Sequence, residues 1–172
     1  MMKRFVGSFL LCCLCFAASV SVQAQEAPPG NPVLDSWVGS WSATGTMMGA
    51  PAAETVTFEW ILGGWFLQGH HATTVTMPDG SPMRVESLSL WQPAADGTFM
   101  SMFLDSTGQA QHGQGAVQDS TVAWVAELGD GSHTQAAVVM DTAAGVATFN
   151  QTHVAADGTE QHLGTLVYTR VP

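Results

Sequence analysis

Set aside an N-terminal leader and the chain has no cysteine and no lysine. Cys12, Cys13 and Cys15 all lie inside the apolar run from Phe5 to Val20, so the rest of the chain forms no disulfide and carries no thiol nucleophile. Without lysine, Schiff-base chemistry and lysine-borne phosphate binding are excluded. Positive charge is nearly absent: beyond the leader only Arg84 and Arg170 stand against fourteen acids, two minus fourteen, or −12. Such a surface repels phosphate backbones and anionic lipid headgroups, which excludes nucleic-acid and membrane-surface roles.

Long apolar runs are missing as well. The stretch from Phe5 to Val20 is short for a membrane span of roughly 20 residues, and no later segment approaches one. Lys3 and Arg4 before it, and the small-x-small triplet Val22-Gln23-Ala24 after it, mark a secretory signal peptide over 1–24 cut after Ala24. None of the three cysteines follows a lipoprotein-type triplet. The expectation is a soluble exported protein, periplasmic or extracellular, whose stability rests on its core although its compartment permits disulfides. A Pro-rich linker over 25–33 then leads to one domain over 34–172, long enough to bury roughly 70% of the unfolded chain's surface.

Sustained helical periodicity is the last absence. One helical turn is expected near Val33–Val38, capped by Asn31 or Asp35. From Ser40 onward Thr, Val, Phe and Trp alternate at period two between close-set turn signals. Asp79-Gly80, Asp96-Gly97, Asp130-Gly131 and Asp157-Gly158 are hairpin turns by composition. Strands are expected at about 40–47, 54–62, 64–76, 83–92, 98–105, 109–117, 121–128, 133–141, 145–154 and 160–170. Hairpin-linked strands in that number predict an all-β fold, a single up-and-down antiparallel β-barrel of about ten strands, because closure removes exposed edges. A two-sheet sandwich is the competitor, but its long crossovers have no place among turns this short. Alternation puts Val56, Phe58 and Trp60 on one face and Thr57 and Glu59 on the other. It aligns Trp124 with Val122, Ala126 and Leu128, and Met100 with Met102 and Leu104. These Trp and Met rows suit a soft interior that admits an apolar guest, or a filled core.

Gly39-Ser40-Trp41 resembles the opening of the first strand in lipocalin-type (calycin) barrels. Those barrels commonly carry an Arg near the end of the last strand, packed across the Trp, and Tyr168-Thr169-Arg170 stands in that place. The resemblance implies structural roles for Gly39, Trp41 and Arg170, a guanidinium stacked on an indole being a favourable contact. Leu62-Gly63-Gly64-Trp65-Phe66, Leu90-Trp91 before Asp96-Gly97, and Leu104-Asp105-Ser106-Thr107-Gly108 extend the similarity, in order, to bacterial lipocalin-like domains of unknown function. Those domains are related to nitrobindin-type haem barrels. This wider resemblance implies a barrel with a central pocket and no established reaction. His162-Leu163-Gly164-Thr165-Leu166 matches the setting of the haem-ligating histidine in such barrels. In Pro82-Met83-Arg84-Val85-Glu86, Arg84 replaces their distal histidine.

The other chemistry is sparse. His70 and His71 are adjacent on a strand and point to opposite faces. No histidine pair has metal-ligand spacing with a close carboxylate. Arg84 and Glu86 share one strand face, as a buried pair at a pocket or an ordinary surface pair. There is no Gly-x-Ser-x-Gly, phosphate loop, dinucleotide fingerprint or spaced carboxylate pair. The first expectation is therefore a barrel that binds a small apolar molecule through Trp60, His70, Arg84, Glu86, Met100, Met102, Trp124 and His162, with no resident cofactor. The second is a haem or metal barrel with His162 as ligand. The third is a small hydrolase or isomerase using a histidine with Glu86. Oligomeric state and ligand identity are not written in these residues.

Overall fold

In the computed structural model, residues 27–141 and 143–172 are described. The expected signal peptide and its expected cleavage point after Ala24 fall outside them. The described chain is a short helix, α1 (Pro32–Asp35), followed by ten strands. These are β1 (Gly39–Met47), β2 (Ala50–Ile61), β3 (Phe66–Thr76), β4 (Pro82–Pro93), β5 (Thr98–Asp105), β6 (Ala110–Gln118), β7 (Thr121–Glu127), β8 (His133–Asp141), β9 (Val146–Val154) and β10 (Glu160–Arg170). Each strand pairs antiparallel with the next, and β1 pairs with β10, so the sheet closes as an up-and-down barrel. No sandwich crossover exists among them.

Turn chemistry explains where the strands stop. Asp79, Asp96 and Asp157 each accept from the backbone N–H two residues on, at 2.9, 3.0 and 2.9 Å, while the intervening glycines sit at φ 81, 84 and 84°. The carboxylate mimics a backbone turn and glycine supplies the left-handed residue. Two boundaries differ from expectation. β2 begins at Ala50 because Met48 and Gly49 (φ 52 and 75°) make a tight two-residue turn that a Met-Gly pair does not advertise. Between β2 and β3, Leu62, Gly63 and Gly64 run through φ 51, 73 and 91°, which ends the ladder in a 3₁₀ turn.

The N-terminal helix plugs one end of the barrel, called here the lower end. Asn31 caps it, its side-chain oxygen accepting from the N–H groups of Val33 (3.1 Å) and Leu34 (3.2 Å). Leu34 and Trp37 are thereby driven inside and become fully buried. Trp41 donates its indole N–H to the Trp37 carbonyl at 2.8 Å. Arg170 stacks over Trp41 with its guanidinium carbon 4.6 Å from the ring centroid, and donates to the carbonyls of Val38 (2.8 Å) and Ser36. Gly39 (φ 118°) leaves room for that guanidinium, since a Cβ there would lie 2.9 Å from Arg170 Nη1. The latch joins first strand, last strand and plug. Arg170→Met should cost about 1–2 kcal/mol, the worth of an exposed cation–π contact plus charge-assisted hydrogen bonds. A denaturant midpoint unchanged from the parent would contradict that role.

A buried polar cluster in the upper barrel

Directly opposed residues in an antiparallel ladder face the same side, so the register assigns the lumen residue by residue. The lower lumen is packed with aromatics. Trp37, Trp41, Phe58, Trp91 and Phe99 are buried, with Trp124 and Phe149 stacked at 6.0 Å beside them. Above this floor the character changes. The inward row Phe58–Gly69–Ser89–Phe103–Gln111 and the next row, Val56–His71–Ser87–Asp105, mix aromatic and polar side chains. Phe103 is 36% exposed although it faces inward beside the His71 ring (6.2 Å), so the upper lumen is open to solvent.

On that wall β2, β3, β4 and β10 assemble one hydrogen-bonded cluster. Glu54 on β2 is buried, and its Oε1 accepts from the Tyr168 hydroxyl on β10 at 2.7 Å. Its Oε2 accepts from Thr73 Oγ1 on β3, also at 2.7 Å. His71 Nδ1 lies 3.0 Å from Glu54 Oε1, and His71 Nε2 lies 2.9 Å from Ser89 Oγ on β4. Burial pushes the Glu54 carboxyl up, but the His71 hydrogen bond and charge, with the bonds from Thr73 and Tyr168, outweigh it and hold the group below its ordinary value. Tyr168 is pushed well above the usual phenol range, first by burial and then by the Glu54 charge, so it remains a donor. An ionised carboxylate can only accept, which assigns the imidazole proton to Nδ1. In the neutral imidazole Nε2 is then the acceptor, and the Ser89 hydroxyl donates to it. Gly69 is the floor of this pair: a Cβ there would sit 2.6 Å from Ser89 Oγ, 2.8 Å from His71 Nε2 and 2.5 Å from the Phe58 ring.

The residues named from sequence fall elsewhere for the most part. Trp124 faces inward at the floor, 5.6 Å from Trp91. Trp60 is half-buried at the lower end, donating to Asp35 at 2.9 Å. Arg84, Glu86, Met100, Met102 and His70 are exposed, on positions that the register turns to the outer face; Met100 is 65% exposed. His70 and Glu86 do come together, in a trough of about 530 Å³ on this part of the sheet that Leu88 and Leu104 also line and that the row of His71 and Ser87 borders. His162 is exposed near a bulge at the upper end of β10, with Nε2 3.1 Å from Thr165 Oγ1.

Haem, implied by the family resemblance, does not fit this placement. His162, the histidine the resemblance names, offers no ligand to the lumen; of the imidazoles the register turns inward, His71 has both nitrogens engaged, and His153 stands opposite Thr134 at the upper end. Among the described residues no group of three or more metal-ligating side chains converges.

Sequence reasoning passed over Glu54, Thr73, Ser89 and Tyr168. The signal was present for one of them: Glu54 extends the inward row Val56–Phe58–Trp60 by one step of two. An acid in an apolar row marks a buried carboxylate.

Neither a protein-family model nor a curated protein matches the chain. Among solved structures it is similar to the crystal structure of Rv2717c from M. tuberculosis, with a TM-score of 0.60 at 15% identity over 83% of this chain and 99% of that one. What the comparison and the register establish is the class, a ten-stranded antiparallel barrel with a plugged lower end.

Proposed function

We propose that this protein is an exported, calycin-like binding barrel that takes a small, largely apolar molecule carrying one polar group into its upper lumen. The observation that carries the reading is the Glu54–His71–Ser89 cluster. It is a buried, internally satisfied polar group on the inner wall at the depth where solvent-open side chains give way to an aromatic floor. Apolar pockets with few, well-placed polar groups are the usual form of small-molecule sites. Phe103 and the floor aromatics supply the apolar contact, while Ser89 and His71 supply direction.

Gly69→Ala tests this. The added Cβ has no room between Ser89, His71 and Phe58, so it displaces the polar pair while leaving the outer face untouched. A molecule that co-purifies with the protein from its native compartment, identified by mass spectrometry, should bind Gly69→Ala at least about tenfold more weakly. Glu86→Gln, on the outer face, should bind it as the parent does. The reverse ranking would move the site outside the barrel and end the proposal.

A further inference from the structure

We infer that Ser89 is a nucleophile activated by His71 and oriented through Glu54, and that the barrel hydrolyses small carboxylic esters whose apolar portion fits the lumen. Nucleophilic serine catalysis needs a hydroxyl within hydrogen-bond reach of a base, and a third group that fixes the base's tautomer. Ser89 Oγ lies 2.9 Å from His71 Nε2, and His71 Nδ1 lies 3.0 Å from Glu54 Oε1. The carboxylate is itself held on both oxygens, by Tyr168 and Thr73, so it cannot swing away from the imidazole. Four different strands contribute to this chain of bonds, each locked in the closed sheet. Rigid elements place catalytic groups more accurately than loops do.

The arrangement also differs from an ordinary satisfied core histidine. Ser89 ends the chain of bonds, and its only recorded side-chain partner among the described residues is the His71 nitrogen. His71 keeps 14% of its side chain exposed and Phe103, directly across from Ser89, is 36% exposed, so an ester approaches the pair from the open end. Gly69 gives the Ser89–His71 pair its room, where any side chain would fill it.

The step balances without a co-reactant other than water. Ser89 Oγ forms a bond to the ester carbonyl carbon as its proton passes to His71 Nε2. The tetrahedral intermediate collapses, the bond to the leaving alcohol breaks, and His71 Nε2 returns the proton to that alcohol. Water then adds to the acyl carbon, giving one proton to His71 Nε2. The acyl bond to Ser89 Oγ breaks, the free acid departs, and the hydroxyl regains its proton.

The test treats folded full-length protein with a small fluorophosphonate and, separately, with p-nitrophenyl acetate, and maps the added mass by peptide sequencing. One adduct is expected, on Ser89, in preference to the inward-facing Ser87 and Ser101 on the same wall. That comparison within one molecule needs no variant to fold. Ser89→Ala should abolish the adduct, and His71→Gln should slow its formation at least about 100-fold. The proposal is overturned if neither reagent marks Ser89, or if Ser87 and Ser101 are marked equally. A ligand that binds the lumen while Ser89 stays unreactive removes this inference and leaves the binding function standing.

Discussion

Truncating Trp37 to alanine should cost about 3–5 kcal/mol, the range for deleting a buried aromatic, and lower Tm by roughly 10–15 °C in a domain of this size. Trp37 is 2% exposed and is the centre of the plug. Its ring lies 5.3 Å from Trp41, 5.4 Å from Phe58, 6.2 Å from Tyr168 and 6.4 Å from Trp91. Those partners come from β1, β2, β4 and β10, so no single strand can relax to fill the void. Trp37→Phe should cost far less. It keeps most of the packing, and the indole N–H it deletes has no hydrogen-bond partner among the described residues. Thermal melts of the two variants separate packing from polarity. If both fell equally, the plug would not act through packing.

Glu54→Ala carries the second large effect, about 3–5 kcal/mol, the usual result of removing one partner from a buried charged network. It would leave His71 Nδ1–H and the hydroxyls of Thr73 and Tyr168 without their acceptor. Glu54→Gln keeps the volume and one acceptor oxygen, so its cost should be smaller. The pH dependence has a definite sign. The folded carboxyl binds its proton less readily than an ordinary carboxyl at 4.5. Its contribution is therefore complete above the unfolded value and is lost as the pH falls through the lower, folded value. Denaturant unfolding at about pH 7 and about pH 4 should show the parent losing more stability than Glu54→Gln. Identical losses would mean that Glu54 is not held ionised.

Much of the fold was legible because closed sheets are written in local terms. Period-two alternation and Asp-Gly turns located the strands to within a few residues, and the lack of crossover-length connections argued for a meander. Of the two caps the sequence offered, Asn31 and Asp35, the helix uses Asn31, and the Gly39–Trp41 pair with Arg170 anticipated the latch. The errors at β2 arose where the backbone turns on Met48 and Leu62, residues whose chemistry gives no hint of positive φ.

The site was harder to see, since it is a property of register across non-adjacent segments. Glu54 and Tyr168 are 114 residues apart, and only closure of β1 on β10 brings them together. Ser89 meets His71 diagonally across a ladder whose offset depends on the length of the turn between β3 and β4. Alternation correctly sent His70 and His71 to opposite faces, but nothing local says which one faces inward. Val56, directly opposite His71, decides it once the strands are paired. The conspicuous residues, Arg84, Glu86, Met100 and His162, drew attention as exceptions in composition, and they are exceptions because the outer face tolerates them.

The central claim is that the functional surface is the inner wall at His71 and Ser89. NMR titration of isotope-labelled protein with a fragment set of small aromatic alcohols and esters tests it most directly. The account predicts that saturable shifts centre on His71, Ser89, Phe103 and Gln111. Shifts confined to the outer face, at His70, Glu86, Leu88 and Leu104, would contradict it.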